Sequence, residues 1–542
     1  MIRLYVVNIM GNYVNNTEAG FQSIVNTGMY VDKTGLLEYM NSVLNTEEKL
    51  ISFSRPRRFG KSYASHMLNA YYSRGACADE IFNKLAISKA KDYEKHLNKY
   101  DVISLDISWF INISDNINNV VKSIQHDVID ELKEIYPDCV KDNTNALAVV
   151  LQKISQKTKQ KFIIIIDEWD ALFREAKENK EVLSEYIKFL RSLFKGLQVS
   201  QFIAGAYITG ILPIKKYGTQ SALTDFHEFT MLFPYPLGKY VGFTEEEVKS
   251  LCSDEQQFQD MCTWYDGYRF FDGDKENDGI RIFNPNSVTK AIRRKLLINY
   301  WTETETYESL RLYIDMDFDG LRTALVDMLA GLEYPIDTGT FQNDMTSINN
   351  KDDVLTLLVH FGYLAYDINT KKVRIPNKEI REEFLRAVKN GKRTELVKSI
   401  ALSDILLQAT WEKDEITVAN VMDEIHSSVA SPLFYNNEQA LRAVVMMGYL
   451  STVDYYLKMQ EVASGKGYID LLFLSNQGEK KPALLVELKW NKSAGKALQQ
   501  IKDNNYPQIL KNYKGKILLV GISYDTNSKA HSCIIEEFMS NR

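Results

Sequence analysis

Lys49-Leu50-Ile51-Ser52-Phe53-Ser54-Arg55-Pro56-Arg57-Arg58-Phe59-Gly60-Lys61-Ser62 is the stretch on which the reading of this chain turns. Its apolar start predicts a buried strand, turn-prone residues follow, and Gly60-Lys61-Ser62 opens a helical pattern through Met67 and Leu68. Strand, tight loop and helix start in that order are the context that a phosphate-binding loop requires. Backbone N–H groups and the helix dipole surround phosphate oxygens, a lysine reaches the outer phosphates, and a hydroxyl holds magnesium. Lys61 and Ser62 fit the last two roles, and Arg58 and Gly60 join them in the cofactor-binding set. The full pattern, G-x-x-x-x-G-K-[ST], has a glycine where this chain has Arg55, so a basic surface loop capping a helix is the plain alternative.

Working outward, Phe162-Ile163-Ile164-Ile165-Ile166 is a β-branched run ending in Asp167-Glu168. It predicts a central parallel strand that delivers carboxylates to its C-terminal edge. Asp167 would hold magnesium through water and Glu168 would orient or activate the attacking water, although such a pair also serves as an ordinary strand-end helix cap.

Tyr30-Val31-Asp32-Lys33-Thr34, Arg55 to Ser62, and Asp167-Glu168-Trp169-Asp170 together resemble the bacterial AAA-ATPase-like proteins that carry a C-terminal PD-(D/E)XK nuclease domain. In that family an arginine at the first glycine position is usual. The resemblance implies ATP and Mg2+ as cofactors. It also places Thr209, at the end of the run Val199 to Gly210, where such an ATPase has its γ-phosphate sensor; a strand-end turn former beside Gly210 is the alternative. Trp264-Tyr265-Asp266-Gly267-Tyr268-Arg269-Phe270 and Phe283-Asn284-Pro285 resemble further family motifs. Arg269 would reach the phosphates from a lid, or else the aromatic turn packs that lid onto the core.

At 542 residues the chain is too long for one ordinary domain, and its 45% hydrophobic and 25% charged residues suit a soluble globular protein. No apolar run approaches the ~18 residues that suggest a membrane span. The N-terminus lacks a leader pattern, and a cytoplasmic location with no membrane partner is expected. The five cysteines form no close C-x-x-C pair, which argues against a zinc ribbon or a disulfide framework. A net charge of −6 excludes a globally basic nucleic-acid coat and requires a local patch.

The expected fold class is α/β, in four segments: a P-loop AAA-like ATPase core over 1–242, a helical lid over 243–345, a winged-helix-like region over 346–415, and an α/β PD-(D/E)XK nuclease-like domain over 416–542. Thr244 with Glu247 reads as a capping box that starts the lid. Asp32 and Lys33 read as a helix cap. The wing carries only Lys371, Lys372 and Arg374, so an inter-domain spacer is as good a reading as a DNA-binding element.

In the last segment, Tyr468 to Leu474 and Pro482 to Lys489 read as two strands joined by a loop centred near Gly478 and Glu479. Residues equidistant from the turn pair across the strands, so Asp470 should face Glu487, and the two-residue period puts Lys489 on the same face. An Asp, then Glu-x-Lys, then a helix bearing Gln500 resembles the PD-(D/E)XK core, with Ile469 in place of the motif's proline. Asp470, Glu487, Lys489 and Gln500 are the expected catalytic set, and Glu438 joins Asp470 and Glu487 as a metal ligand, beside Ser62 and Asp167 in the ATPase. Lys480, Lys481, Lys492, Lys496, Lys502, Lys511 and Lys514 offer the local positive surface for nucleic acid, DNA being the expected kind. A solvated hairpin with neighbouring charges is the bland alternative. The leading function is an ATP-hydrolysing module fused to a magnesium-dependent nuclease, in anti-phage or mobile-element defence by analogy of architecture, and compatible with a homo-oligomer. The rivals are a nucleotide-dependent switch or scaffold with inactive chemistry, and a nuclease whose ATPase-like half only recognises nucleic acid.

Overall fold

The computed structural model describes residues 10–140, 144–214, 223–274, 279–303, 307–316, 318–342, 348–390, 394–429, 437–464, 467–475, 481–510, 513 and 515–538. The chain forms two compact units, one of residues 1–306 and 335–380, the other of residues 307–334 and 381–542. The four segments read from the sequence do not coincide with these units. The expected boundary at 415/416 falls at the first residue of helix Glu415–Val429, which belongs to the second unit together with helix Thr394–Glu412 before it. Among the described residues no helix is long and apolar enough to cross a membrane.

The first unit is built on a parallel sheet of β1 (Leu50–Ser54), β2 (Asp101–Asp106), β3 (Phe162–Asp167), β4 (Ile203–Gly210) and β5 (His227–Phe229), in the order β2-β3-β4-β1-β5. β1, β4 and the apolar part of β3 are buried along their length, as a sheet covered by helices on both faces requires. Residues 199–202, read from the sequence as the start of β4, form a helical turn instead. The insertion of β4 between β1 and β3 decides the site. The registers Ser54↔Gly210 and Asp106↔Asp167 bring the C-terminal ends of four strands to one edge.

The lid begins where the capping box predicts: Thr244 N–H donates to Glu247 Oε2 at 2.7 Å and the Thr244 hydroxyl oxygen accepts from Glu247 N–H. Helices Glu245–Leu251 and Glu255–Tyr265 lead to a small antiparallel sheet of β6 (Phe243–Thr244), β7 (Tyr268–Phe270) and β8 (Ile280–Phe283). Asn284 then caps helix Pro285–Arg294. β9 (Tyr334–Pro335) spans a passage between the units. Helix Lys351–His360 and the hairpin of β10 (Ala365–Asp367) and β11 (Lys372–Arg374) give the helix, strand, turn and strand of the winged-helix reading. Arg374 of the expected basic run is spent inside the unit, donating to Gly267 O at 2.9 Å.

The second unit carries a mixed sheet in the order β12 (Tyr456–Ser464), β13 (Gly467–Ser475), β14 (Ala483–Trp490), β15 (Ile517–Asp525), β16 (Ala530–Phe538). β14 and β15 are parallel because helix Ala494–Asp503 crosses between them, and its Leu498 and Ile501 pack with Leu472, Leu485 and Leu519. Helix Glu415–Val429 is bonded to β16, where Ile535 N–H donates to Glu415 Oε1 at 2.8 Å.

Candidate active sites

In the first unit the phosphate loop is shaped by positive φ angles at Arg58 (65°) and Gly60 (98°), which turn successive N–H groups inward ahead of helix Lys61–Tyr72. Lys61 is buried, and its Nζ donates to Pro56 O at 3.0 Å. Burial lowers its pKa, opposed by Glu168, Asp167 and Asp170. The loop opens on a cavity of about 460 Å³. Arg58, Gly60, Lys61, Ser62 and Glu168 form its polar wall, and Phe21, Ile24, Met29, Tyr30 and Val31 its apolar wall. One wall suits phosphates and the other suits a flat base.

Asp167 lies between Ser62, which hydrogen-bonds to it, and Glu168; burial above all pushes its carboxyl up to about 6. Asp106, its partner across the β2–β3 register, is raised by burial too. Two neighbouring carboxylates, Asp167 and Asp106, raised in this way suit a cation. Glu168 adopts a left-handed φ of 50° and is held by Arg174 in a short ion pair. Arg174 also lies 3.3 Å from Asp170, which accepts N–H bonds from Ile211 and Leu212 at 3.1 and 2.9 Å. Arg174, Asp170 and Asp106 were not among the residues read as functional.

Thr209 is fully buried, and its hydroxyl donates to Phe53 O at 2.9 Å, tying β4 to the phosphate-loop strand. Arg269 is placed elsewhere than expected. The alternation of β7 buries Tyr268 and Phe270 and sends Arg269 outward to a second cavity, shared with Lys239, Glu245 and Arg281. The phosphate loop instead meets the aromatic partners of Arg269: Phe59 packs edge-on to Tyr268 at 5.5 Å. The packing reading of that motif therefore describes the geometry. Asp32 caps Thr34 at 2.8 Å, and Lys33 pairs with the lid's Glu247 at 2.5 Å.

In the second unit, Leu471↔Val486 is the last paired position of β13 and β14, which puts Asp470 opposite Glu487. Asp470 accepts at Oδ1 from Arg442 and at Oδ2 from Leu488 N–H, both at 2.8 Å. Glu487 Oε1 accepts from Lys489 Nζ at 3.1 Å and, in a short contact, from Gln500 Nε2. Glu487 is 1% exposed, and its Oε2 is buried without a partner. Burial first, and Asp470 second, push its carboxyl up to about 7. A dehydrated carboxylate oxygen left unbonded beside a second carboxylate fits a divalent cation.

Glu438 is not part of this arrangement. It stands exposed in the first turn of helix Glu438–Gly448, and the side chain from that helix that meets Asp470 is Arg442, one turn on. Among the described residues no three His, Cys, Asp or Glu side chains converge, so protein ligands to a cation would be few. Of the basic surface, Lys492 and Lys496 are exposed beside the site, Lys481 stacks on Trp411, and Lys502 pairs with Glu536. Lys480, Lys511 and Lys514, and the turn at Gly478 and Glu479, lie outside the described residues.

A phosphate loop and a carboxylate strand separated by one inserted strand define an AAA-type nucleotide-binding unit, and two facing carboxylates with a neighbouring lysine and glutamine define a PD-(D/E)XK-type site. Residues 19–219 match the family model described as Predicted AAA-ATPase, and residues 436–533 match that of the PD-(D/E)XK nuclease superfamily. The chain thus carries a segment similar to the predicted AAA-ATPase family and, towards its C-terminus, a segment similar to the PD-(D/E)XK nuclease superfamily. It is similar, at 21% identity over 535 residues, to the "Uncharacterized protein in vnfD 5'region" of Azotobacter chroococcum mcd 1, with 92% of this chain and 94% of that one covered. Among solved structures it is similar to the Aeropyrum pernix ORC2 protein in ADPNP-ADP complexes, at TM-score 0.27 and 9% identity, covering 68% of this chain and 93% of that one. It is also similar to C. elegans PCH-2, at TM-score 0.21 and 12% identity, covering 63% and 71%. Those two likenesses are too remote to bear on function.

Proposed function

We propose that the first unit binds and hydrolyses ATP with magnesium, and that the second unit cleaves phosphodiester bonds of nucleic acid, DNA foremost, at a divalent-metal site. The observation that supports the cleavage reading is Glu487 Oε2, buried and unbonded opposite Asp470. Asp470 and Glu487 would hold the cation, and Gln500 and Lys489 fix the Glu487 carboxylate that does so. A bound magnesium ion supplies Lewis acidity and an activated water. Lys489 then offers N–H to a phosphate oxygen on which negative charge builds. In the first unit Lys61 would exchange Pro56 O for a phosphate oxygen, Ser62 and Asp167 would hold the metal, and Glu168 would orient the attacking water. Gating of cleavage by ATP, and a defence role against phage or mobile elements, extend this reading by analogy of architecture.

The test incubates purified protein with single- and double-stranded DNA and RNA, with and without ATP and with magnesium, manganese or chelator. Metal-dependent cleavage should vanish in Asp470→Ala and in Lys489→Ala. Lys61→Ala should abolish nucleotide binding, and Glu168→Gln should keep binding while stopping turnover. Nicking that persists in both C-terminal variants places the chemistry elsewhere, and unchanged ATP turnover in both N-terminal variants sinks the ATPase assignment.

A further inference from the structure

We infer that Arg442 is a substrate-phosphate contact that keeps the metal site weak until nucleic acid arrives, so that cation and substrate load together; this rests on the nuclease reading above. Helix Glu438–Gly448 presents Arg442 to Asp470, with Nη2 2.8 Å from Oδ1. On β14, Lys489 Nζ lies 3.1 Å from Glu487 Oε1. The two carboxylates therefore face two cations, and the formal charges of these four side chains sum to zero. A dication entering such a pocket must give up its water for carboxylates already neutralised, and it meets two like charges at short range. Hard-cation sites that hold a resident ion concentrate uncompensated oxygen charge instead. Among the described residues no third acid supplies that charge, and Glu438 is exposed at the far end of the same turn.

A phosphodiester changes the balance. It brings one negative charge, and its paired oxygens match the planar guanidinium fork better than the single Asp470 oxygen does. When Arg442 moves to the phosphate, Asp470 Oδ1 is released to the cation. Asp470 does not lose its orientation, because Leu488 N–H still holds Oδ2 at 2.8 Å. Arg442 thus acts as a counter-charge in the free protein and as a phosphate ligand in the complex.

The experiment measures Mn2+ binding to the full chain by the electron paramagnetic resonance signal of free Mn2+. Nucleotide is left out, and short phosphorothioate-linked DNA and RNA duplexes are added or omitted. Wild type should bind Mn2+ about tenfold or more tightly with duplex than without, and Arg442→Gln should bind it about tenfold or more tightly than wild type without duplex, with little further gain on adding it. Arg442→Lys keeps the charge and should stay weak without duplex. An Arg442→Gln affinity equal to or below wild type overturns the proposal, as does equal tightening in Arg442→Lys. Asp470→Asn separates the two levels of inference. If it removes the Mn2+ response while Arg442→Gln does nothing, only the role of Arg442 fails; if it changes nothing under any condition, the metal site itself is misplaced and both readings fall.

Discussion

Arg55 stacks its guanidinium on the ring of Phe270, 4.7 Å from the centroid, and also lies over Phe53 at 4.5 Å. It is fully buried, its Nη1 donates to Ser54 O at 2.8 Å, and burial pulls its pKa down to about 9. The residue that departs from the phosphate-loop pattern therefore joins the loop to β7. Restoring the pattern with Arg55→Gly should weaken nucleotide binding and cost about 2–4 kcal/mol of stability, from two lost cation–π contacts and the void left behind. Fluorescent-nucleotide titration and thermal melts check this; a variant that binds as well as wild type and melts no lower would show that the stack is idle.

Gly267 accounts for the turn in the motif read either as a lid that carries Arg269 to the phosphates or as an aromatic packing turn. Its φ is 135°, and a Cβ there would lie 1.8 Å from Pro376 O, a backbone atom that cannot step aside. Gly267→Ala should destabilise the first unit by about 3 kcal/mol or more. A melting temperature within a degree of wild type would contradict it.

His360 is buried with both ring nitrogens unbonded, and burial, with Arg55 second, pulls its pKa to about 3. The unfolded chain takes up a proton near pH 6.5 that the folded state refuses. This contribution to stability is whole above that value and is lost as pH falls toward 3, by at most about 1.4 kcal/mol per pH unit. His360→Phe should flatten the acid limb, so that its stability relative to wild type improves by about 2 kcal/mol between pH 7 and 5. Parallel denaturant midpoints at the two pH values would rule His360 out as the source.

Arg174 holds Glu168 at an unfavourable φ and faces the buried Asp170. Arg174→Gln should leave nucleotide affinity near wild type and raise basal ATP turnover severalfold, because Glu168 is then free to take a water. Steady-state turnover with a separate affinity measurement decides it; turnover that falls while affinity holds would make Arg174 a contributor to hydrolysis, not a restraint.

Much of this was legible from local pattern. Thr244 and Glu247 read as a capping box because the motif is four residues long, and Asp470 faces Glu487 because a hairpin's register is fixed by its turn. Arg174 and Arg442 were not legible. Each is one charged residue on a helix, given meaning by a carboxylate 6 or 28 residues away. Glu438 was chosen for its chemistry, but the 3.6-residue period decides which side chain of a helix meets the sheet, and here that is Arg442. For Arg269 the strand's period of two, which the motif reading did not weigh, sends it away from the buried Tyr268 and Phe270.

The chain passes between its two units at 306/307, 334/335 and 380/381, not once. Helices Tyr307–Ile314 and Leu321–Leu329 thus complete the nuclease-bearing body although they precede the last stretch of the ATPase-bearing one. A protease cut at any single passage would divide the chain of at least one body, and a cut at 334/335 would divide both. A ribosome finishes the body that holds the phosphate loop only after the first helices of its companion have already emerged.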